Sequence, residues 1–187
     1  MLPPKKTLQR HEVDGAARFL TFSCFRRLRL FDNERIKDRF VEHLVATCDR
    51  RGVRLFAWVV MPEHVHLVIA PDAGCSIETF LRSLKTPFAN EVVARWRELN
   101  ASILPRLRDR SSDLHFWQRG GGYDRAVVGT ELFEKIRYCH RNPIARGLCA
   151  TSVDWPWSSA RRYEARADAI GPPIPLDDLP PSPFPLT

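Results

Sequence analysis

The chain has 187 residues, 44% of them hydrophobic, which is the size and apolar content of one domain with one substantial core. Its formal net charge of +7 favours an anionic partner such as nucleic acid over an anionic membrane surface, because no basic amphipathic helix stands out. Five scattered cysteines without a CxxC pair argue against a disulfide framework, and no apolar segment resembles a secretion signal or a membrane span, so we predict a cytoplasmic protein without membrane association.

The first half of the chain alternates between strand and helix patterns. Residues 17–25 are rich in aromatic and β-forming side chains, and Asn33 is a suitable N-terminal cap for the helix that follows. Two further apolar strands are separated by the short turn at 61–63, which predicts a hairpin. The predicted elements are a strand at 17–25, a helix at 34–50, strands at 53–60 and 64–70, and a helix from Ile77 to about Trp96 capped by Ser76.

The second half is less regular. Its predicted elements are an exposed basic loop at 99–112, a short fourth strand at 115–118, a flexible glycine break at 119–122, a helix from Glu131 to about Arg141 that is capped by Thr130 and ends before Pro143, and a short helix at 160–167. Residues 171–187 are proline-rich and predict a tail without its own core, which leaves residues 1–170 as the domain. The β-α-β-β-α-β order predicts an α+β, ferredoxin-like antiparallel sheet with helices packed on it.

Two histidines on the strand at 64–70 indicate a metal site. His64 and His66 share one face of the strand because successive side chains alternate, and Val68 on the same face suggests that this face is partly covered. Neutral imidazole is a common metal ligand at physiological pH. The alternative at this point is a pair of histidines on a solvated strand face.

The helix after Thr130 presents further polar groups along one flank. Lys135, Tyr138 and Asn142 lie together beside the apolar stripe, with Tyr138 and Asn142 one turn apart. If this flank faces the histidines, Asn142 can supply an amide oxygen and Tyr138 a hydroxyl to the same metal. The alternative is that Tyr138 is an amphipathic boundary residue and Asn142 a helix C-cap. His140 points to the opposite flank and is left out of the predicted site.

Four motifs occur in order along the chain. They are Pro62-Glu63-His64-Val65-His66-Leu67, then Phe116-Trp117-Gln118-Arg119-Gly120 with Tyr123-Asp124-Arg125, then Tyr138-Cys139-His140-Arg141-Asn142-Pro143-Ile144 with Gly147-Leu148, and Trp155-Pro156-Trp157-Ser158-Ser159. Each motif alone is weak, but four in register are specific. The chain resembles the REP-associated tyrosine transposases, a branch of the HUH single-strand transposase superfamily, over roughly Ala17 to Tyr163.

The resemblance implies an HUH endonuclease fold with His64, His66 and Asn142 as metal ligands and Tyr138 as nucleophile. It implies cleavage of single-stranded hairpins from repetitive extragenic palindromes with Mg²⁺ or Mn²⁺, through a 5′-phosphotyrosine. Lys135, one turn before Tyr138, is expected to favour the phenolate or to screen the phosphate. A monomer is expected. The alternative function is a domesticated regulator that binds hairpin DNA without turnover.

The basic residues and the remaining tyrosines complete the predicted site. The expected DNA contacts are Arg26, Arg27, Arg29, Arg119 and Arg125, with solvated surface charge as the alternative for each one. The triple glycine departs from the bulkier residues expected before the Tyr-Asp-Arg segment, so Tyr123 remains a rival nucleophile and Tyr163 a weaker one. A P-loop is disfavoured because no lysine-serine ending follows the glycines.

Overall fold

The computed structural model describes residues 16–120 and 122–164. Along this part of the chain the strands and α-helices are β1 (Ala17–Ser23), α1 (Glu34–Arg51), β2 (Val53–Val60), β3 (His64–Pro71), α2 (Ile77–Glu98), β4 (Tyr123–Val127), α3 (Thr130–Ala145) and α4 (Ala160–Tyr163). None of the helices described is both long enough and apolar enough to cross a membrane.

The strands form one antiparallel sheet in the order β2-β3-β1-β4. This arrangement confirms the predicted ferredoxin-like α+β fold. Helices α1 and α2 pack on one face, where Val65, Leu67 and Ile69 of β3 join the larger core. Helix α3 covers the other face, where Leu132, Ile136 and Cys139 pack against side chains of all four strands. The two faces of β3 therefore have different partners, as alternation requires.

Local sequence accounts for the ends of several elements. The Asn33 side chain accepts a hydrogen bond from the Arg35 amide and so caps α1, and Ser76 caps α2 by accepting from the Thr79 amide. Gly52 ends α1 with a left-handed φ of 59°, which glycine adopts without the steric cost other residues meet. Helix α2 continues through Pro87 without interruption.

The fourth strand is not the one that was predicted. Residues 115–118 form a single bridge, between Trp117 and Cys24, whereas the sheet is completed by Tyr123–Val127. The aromatic side chains of Phe116 and Trp117 are buried in the core under α1 and α2, and the Trp117 indole donates to the Lys85 carbonyl. A short apolar run can be buried without forming a strand, and these two aromatic side chains are apolar because they fill the core.

Two predicted boundaries also differ, and others lie outside the described residues. Strand β1 ends at Ser23, and a tight turn occupies Phe25–Arg27. Helix α3 extends past Pro143 to Ala145, because proline in the last turn removes only one of the terminal hydrogen bonds. The predicted continuation of the last helix to residue 167, the domain end at 170 and the tail at 171–187 fall beyond residue 164.

Candidate active site

An open cleft of about 970 Å³ lies between α3 and the sheet face formed by β1 and β3. It contains all five residues predicted for catalysis and metal binding. The residues lining the cleft are Phe19, Thr21, Arg27, His64, His66, Tyr123, Glu134, Lys135, Arg137, Tyr138, Arg141, Asn142, Ala145 and Arg146. Five of these side chains are cationic and one is anionic, so the cleft is suited to a phosphate-bearing ligand.

The two histidines face each other at the floor of the cleft. His64 and His66 pair with Ser23 and Thr21 on β1, and both imidazoles are almost fully buried beneath α3. Their Nε2 atoms lie 3.0 Å apart, and the Asn142 side-chain amide lies 3.2 Å from His66 Nε2. The fold therefore brings the three predicted ligands to one point, from a strand and a helix 76 residues apart.

The other nitrogen of each imidazole is held by a protein oxygen. His66 Nδ1 lies 2.7 Å from Thr21 Oγ1, and His64 Nδ1 lies 3.1 Å from Glu63 Oε1. If both Nδ1 atoms donate, both Nε2 atoms carry lone pairs that point at each other. Such an arrangement calls for a shared proton or a cation, and metal-binding histidines commonly donate their second N–H to a carboxylate or another oxygen.

Burial also favours the ligating form of the histidines. It lowers the pKa of the His66 imidazole to about 3, and it lowers the pKa of His64 as well, because the charged form is poorly solvated there. Adjacent ligands about 2.1 Å from a six-coordinate ion lie about 3.0 Å apart, which matches the separation of the two Nε2 atoms. The spacing and the neutral imidazoles thus fit a divalent cation.

Tyr138 stands beside this group on α3. Its side chain is 49% exposed, and its ring centre lies 5.2 Å from that of His66. Phe19 stacks on His66 and meets the Tyr138 ring edge-on, so it contacts both rings. The Lys135 ammonium lies 5.8 Å from the centre of the Tyr138 ring. An accessible hydroxyl and a cation therefore border the three candidate ligands.

The other tyrosines differ in their access to the cleft. Tyr123 lines it, is exposed, and contacts Phe19 edge-on, so it remains a structural rival to Tyr138. Tyr163 lies outside the cleft lining and its hydroxyl donates to the Phe56 carbonyl at 2.6 Å. His140 is buried on the opposite flank of α3, 2.8 Å from Ser159 Oγ, which agrees with its omission from the predicted ligands.

Only one of the predicted DNA-binding arginines lies in the cleft. Arg27 lines it and pairs with Glu63. Arg29 pairs with Asp32, and Arg125 pairs with Glu131. Arg26 packs over the Phe25 ring, and Arg119 lines a second groove, between α2 and residues 114–120. These four arginines all lie outside the cleft lining.

Several cleft residues were not predicted. Arg137, Arg141 and Arg146 line the cleft from α3 and its C-terminal cap. Helical spacing could have indicated these arginines, because residue 141 lies one turn after residue 137 and residue 146 lies one turn after Asn142. Thr21 and Glu63 had no such signal, since their roles depend on contacts with the histidine rings.

A second group of potential ligands has a structural explanation. Asp109, Asp113 and His115 place ligand atoms within 4.8 Å of one another in the loop between α2 and β4. Asp109 already accepts hydrogen bonds from Ser111 and His115, and the Arg119 guanidinium lies within 4.0 Å of both carboxylates. These hydrogen bonds hold the pKa of Asp109 below its usual range. None of the three residues lines the cleft.

A family model described as Transposase IS200 like matches residues 17–142. The chain is 26% identical, over 117 residues, to a Haemophilus influenzae protein designated a REP-associated tyrosine transposase; the match covers 62% of this chain and 64% of that protein, slightly less than two thirds of its length. It is 24% identical over 161 residues to the REP-associated tyrosine transposase of Escherichia coli K12, covering 84% of each.

Among solved structures, that of a REP-associated tyrosine transposase bound to a REP hairpin is similar over nearly the whole chain. The TM-score is 0.65 at 19% sequence identity, and the match covers 97% of this chain and 99% of the other. The likeness shows that the two proteins share a fold.

Proposed function

The chain belongs to the Transposase IS200 like family, and from that premise we propose that it is a metal-dependent single-stranded DNA endonuclease and strand transferase. Its proposed substrate is a hairpin formed by a repetitive extragenic palindrome. One observation carries the proposal: the Nε2 atoms of His64 and His66, the Asn142 amide and the Tyr138 ring meet within a single basic cleft.

Tyr138 is the proposed nucleophile. Its phenolate oxygen attacks the scissile phosphorus, the bond from phosphorus to the 3′ oxygen breaks, and a phosphotyrosine ester to the 5′ phosphate forms. The phenol proton leaves to solvent and the departing 3′ oxygen acquires one. Attack by a 3′-OH on the same ester reverses the step, so cleavage and rejoining are one chemistry without a nucleotide cofactor.

His64, His66 and Asn142 are the proposed ligands of Mg²⁺ or Mn²⁺. The chemistry that such an ion supplies when bound is to orient the scissile phosphate and to offset charge on the leaving oxygen. Rotation of the Asn142 amide presents its oxygen in place of the nitrogen that faces His66. Lys135 and the arginines of the cleft supply positive charge for the phosphates on either side.

The partner in this proposal is single-stranded hairpin DNA, and the protein acts as a monomer in the cytoplasm. The structural neighbour supports the hairpin, since that protein is bound to a REP hairpin. The basic lining of the cleft supports an anionic strand independently of that neighbour.

The test is covalent capture of the cleaved strand. The protein is incubated with Mn²⁺ and a palindromic hairpin oligonucleotide with single-stranded flanks, labelled at either its 3′ or its 5′ end. A denaturation-resistant adduct should carry only the 3′ label, because the enzyme retains the 5′ phosphate of the downstream fragment. Tyr138→Phe should abolish the adduct, whereas Tyr163→Phe, the matched control outside the cleft, should retain it.

Two results would contradict the assignment. An adduct that survives Tyr138→Phe and disappears in Tyr123→Phe would make Tyr123 the nucleophile. Tight hairpin binding that a chelator leaves unchanged, with no cleavage of any hairpin, would support the regulator that binds without turnover.

A further inference from the structure

Glu63 is a buried carboxylate with an unusual concentration of partners. It lies in the turn between β2 and β3 and is 4% exposed. A single oxygen, Oε1, lies 3.1 Å from His64 Nδ1, 3.2 Å from Arg27 Nη2 and 2.9 Å from Arg146 Nη1. The other oxygen, Oε2, is buried and has no hydrogen-bond partner among the described residues. A buried charge is retained at such a cost only when its partners compensate it.

The three partners come from three separate parts of the site. His64 begins β3. Arg146 is the C-cap of α3, the helix that carries Asn142 one turn earlier. Arg27 belongs to the turn after β1, where Arg26 and Arg27 both adopt left-handed φ angles of 52° and 53°. Side chains other than glycine adopt this conformation only when surrounding contacts impose it.

Backbone hydrogen bonds hold the same parts together. The Cys24 amide donates to the Glu63 carbonyl at 2.9 Å, and the Phe31 amide donates to the Pro62 carbonyl at 3.0 Å. The turn after β1 is therefore attached to the turn that carries Glu63. On the other side, the Glu63–Arg146 ion pair joins this turn to the end of α3.

We infer that Glu63 is a positioning residue that sets the ligand geometry of the proposed metal site. It orients His64 directly, by accepting from Nδ1 so that Nε2 faces the ligand position. It orients Asn142 indirectly, because the ion pair with Arg146 fixes the last turn of α3 relative to β3. The inference rests on the proposed function, since it concerns the same site.

Charge alone predicts different results from positioning. If Glu63 acted only through its negative charge, Glu63→Gln and Glu63→Ala would weaken cation binding equally. Arg146→Gln would then strengthen cation binding, because it removes a nearby positive charge. If Glu63 acts by position, glutamine retains an acceptor for His64 Nδ1 that alanine lacks, and loss of Arg146 releases the end of α3.

The experiment measures Mn²⁺ affinity of the full chain by calorimetric titration without DNA. We expect Glu63→Ala to lower the affinity for Mn²⁺ about 10- to 100-fold and Glu63→Gln to lower it less. Arg146→Gln should also lower this affinity rather than raise it. Nitrogen-15 spectra of the metal-free protein should show His64 protonated on Nδ1 in the wild type and in Glu63→Gln but not in Glu63→Ala. Glu98→Gln, which removes a distant exposed carboxylate on α2, should change neither measurement.

Several results would overturn the inference. They are equal weakening by the alanine and glutamine variants, unchanged affinity in both, or tighter Mn²⁺ binding by Arg146→Gln. If Glu63→Ala does not fold, the glutamine variant and Arg146→Gln still decide the question. A wild-type chain that binds no Mn²⁺ would instead contradict the proposed function.

Discussion

Acid should destabilise the fold through His140, a histidine that lies outside the cleft. Its ring is buried on α3, with Nε2 2.8 Å from Ser159 Oγ and the Tyr163 ring centre 4.8 Å away. Burial lowers the pKa of His140 from 6.5 to about 4. The unfolded chain therefore takes up this proton at higher pH than the folded chain. The stability contributed by the neutral ring is complete above pH 6.5 and is lost as the pH falls through 4.

The two pKa values determine the size of the effect. Each unit of difference corresponds to about 1.4 kcal/mol. The contribution of His140 to the free energy of unfolding should fall by about 2 kcal/mol at pH 5 and about 3 kcal/mol at pH 4. A loss of this size is a large fraction of the stability of a small domain.

Urea unfolding at a series of pH values between 7 and 4 measures this loss in the wild type and in His140→Gln. Glutamine keeps an amide that can bond to Ser159 but cannot titrate. Subtracting one curve from the other removes the contributions that both proteins share, including those of His64 and His66. The wild type should lose more stability than the variant below pH 6.5. If the free energies of unfolding of the two proteins fall by the same amount across this range, His140 does not contribute in this way.

Two predictions concern the cleft. Thr21→Val removes the oxygen 2.7 Å from His66 Nδ1 while keeping the side-chain shape. Mn²⁺ affinity, measured by calorimetric titration, should therefore fall at least about ten-fold. Unchanged affinity would show that Thr21 does not orient the ring. Lys135→Gln should reduce the slope of log affinity against log salt for single-stranded DNA by about 0.7, measured by fluorescence anisotropy, with Arg95→Gln on α2, outside the cleft lining, as a control for net charge. An unchanged slope would mean that Lys135 contacts no phosphate.

Local patterns predicted most of the fold. Strands β2 and β3 were predicted from apolar runs around a short turn, and α1 and α2 from caps and helical spacing, and the structure agrees with these elements to within one or two residues. The fourth strand was misplaced because Phe116 and Trp117 have strand-like composition but are used to fill the core. Tyr123–Val127 pairs with β1, which lies about 100 residues earlier, so its role depends on a long-range contact.

The candidate site was predicted unevenly. The two periodicities grouped His64 with His66 and Tyr138 with Asn142, the resemblance to the tyrosine transposases implied their roles, and the structure gathers all four in one cleft. The arginines were expected from their positions after the first strand and beside the glycines, and of the five only Arg27 lines the cleft. Side-chain direction on the helix indicated Lys135, which lines the cleft, and the same spacing would have indicated Arg141.

The sequence by itself determined which side chains share a face, because the alternation of a strand and the turn of a helix are properties of the local backbone. His64 and His66 share a face of β3, and Tyr138 and Asn142 share a flank of α3, for that reason. Only the tertiary structure decided that this flank opposes that face, with the Asn142 amide 3.2 Å from His66 Nε2 and Glu63 in an ion pair with Arg146. These contacts depend on how separate elements pack, and no local periodicity specifies the partner across a gap of 76 or more residues.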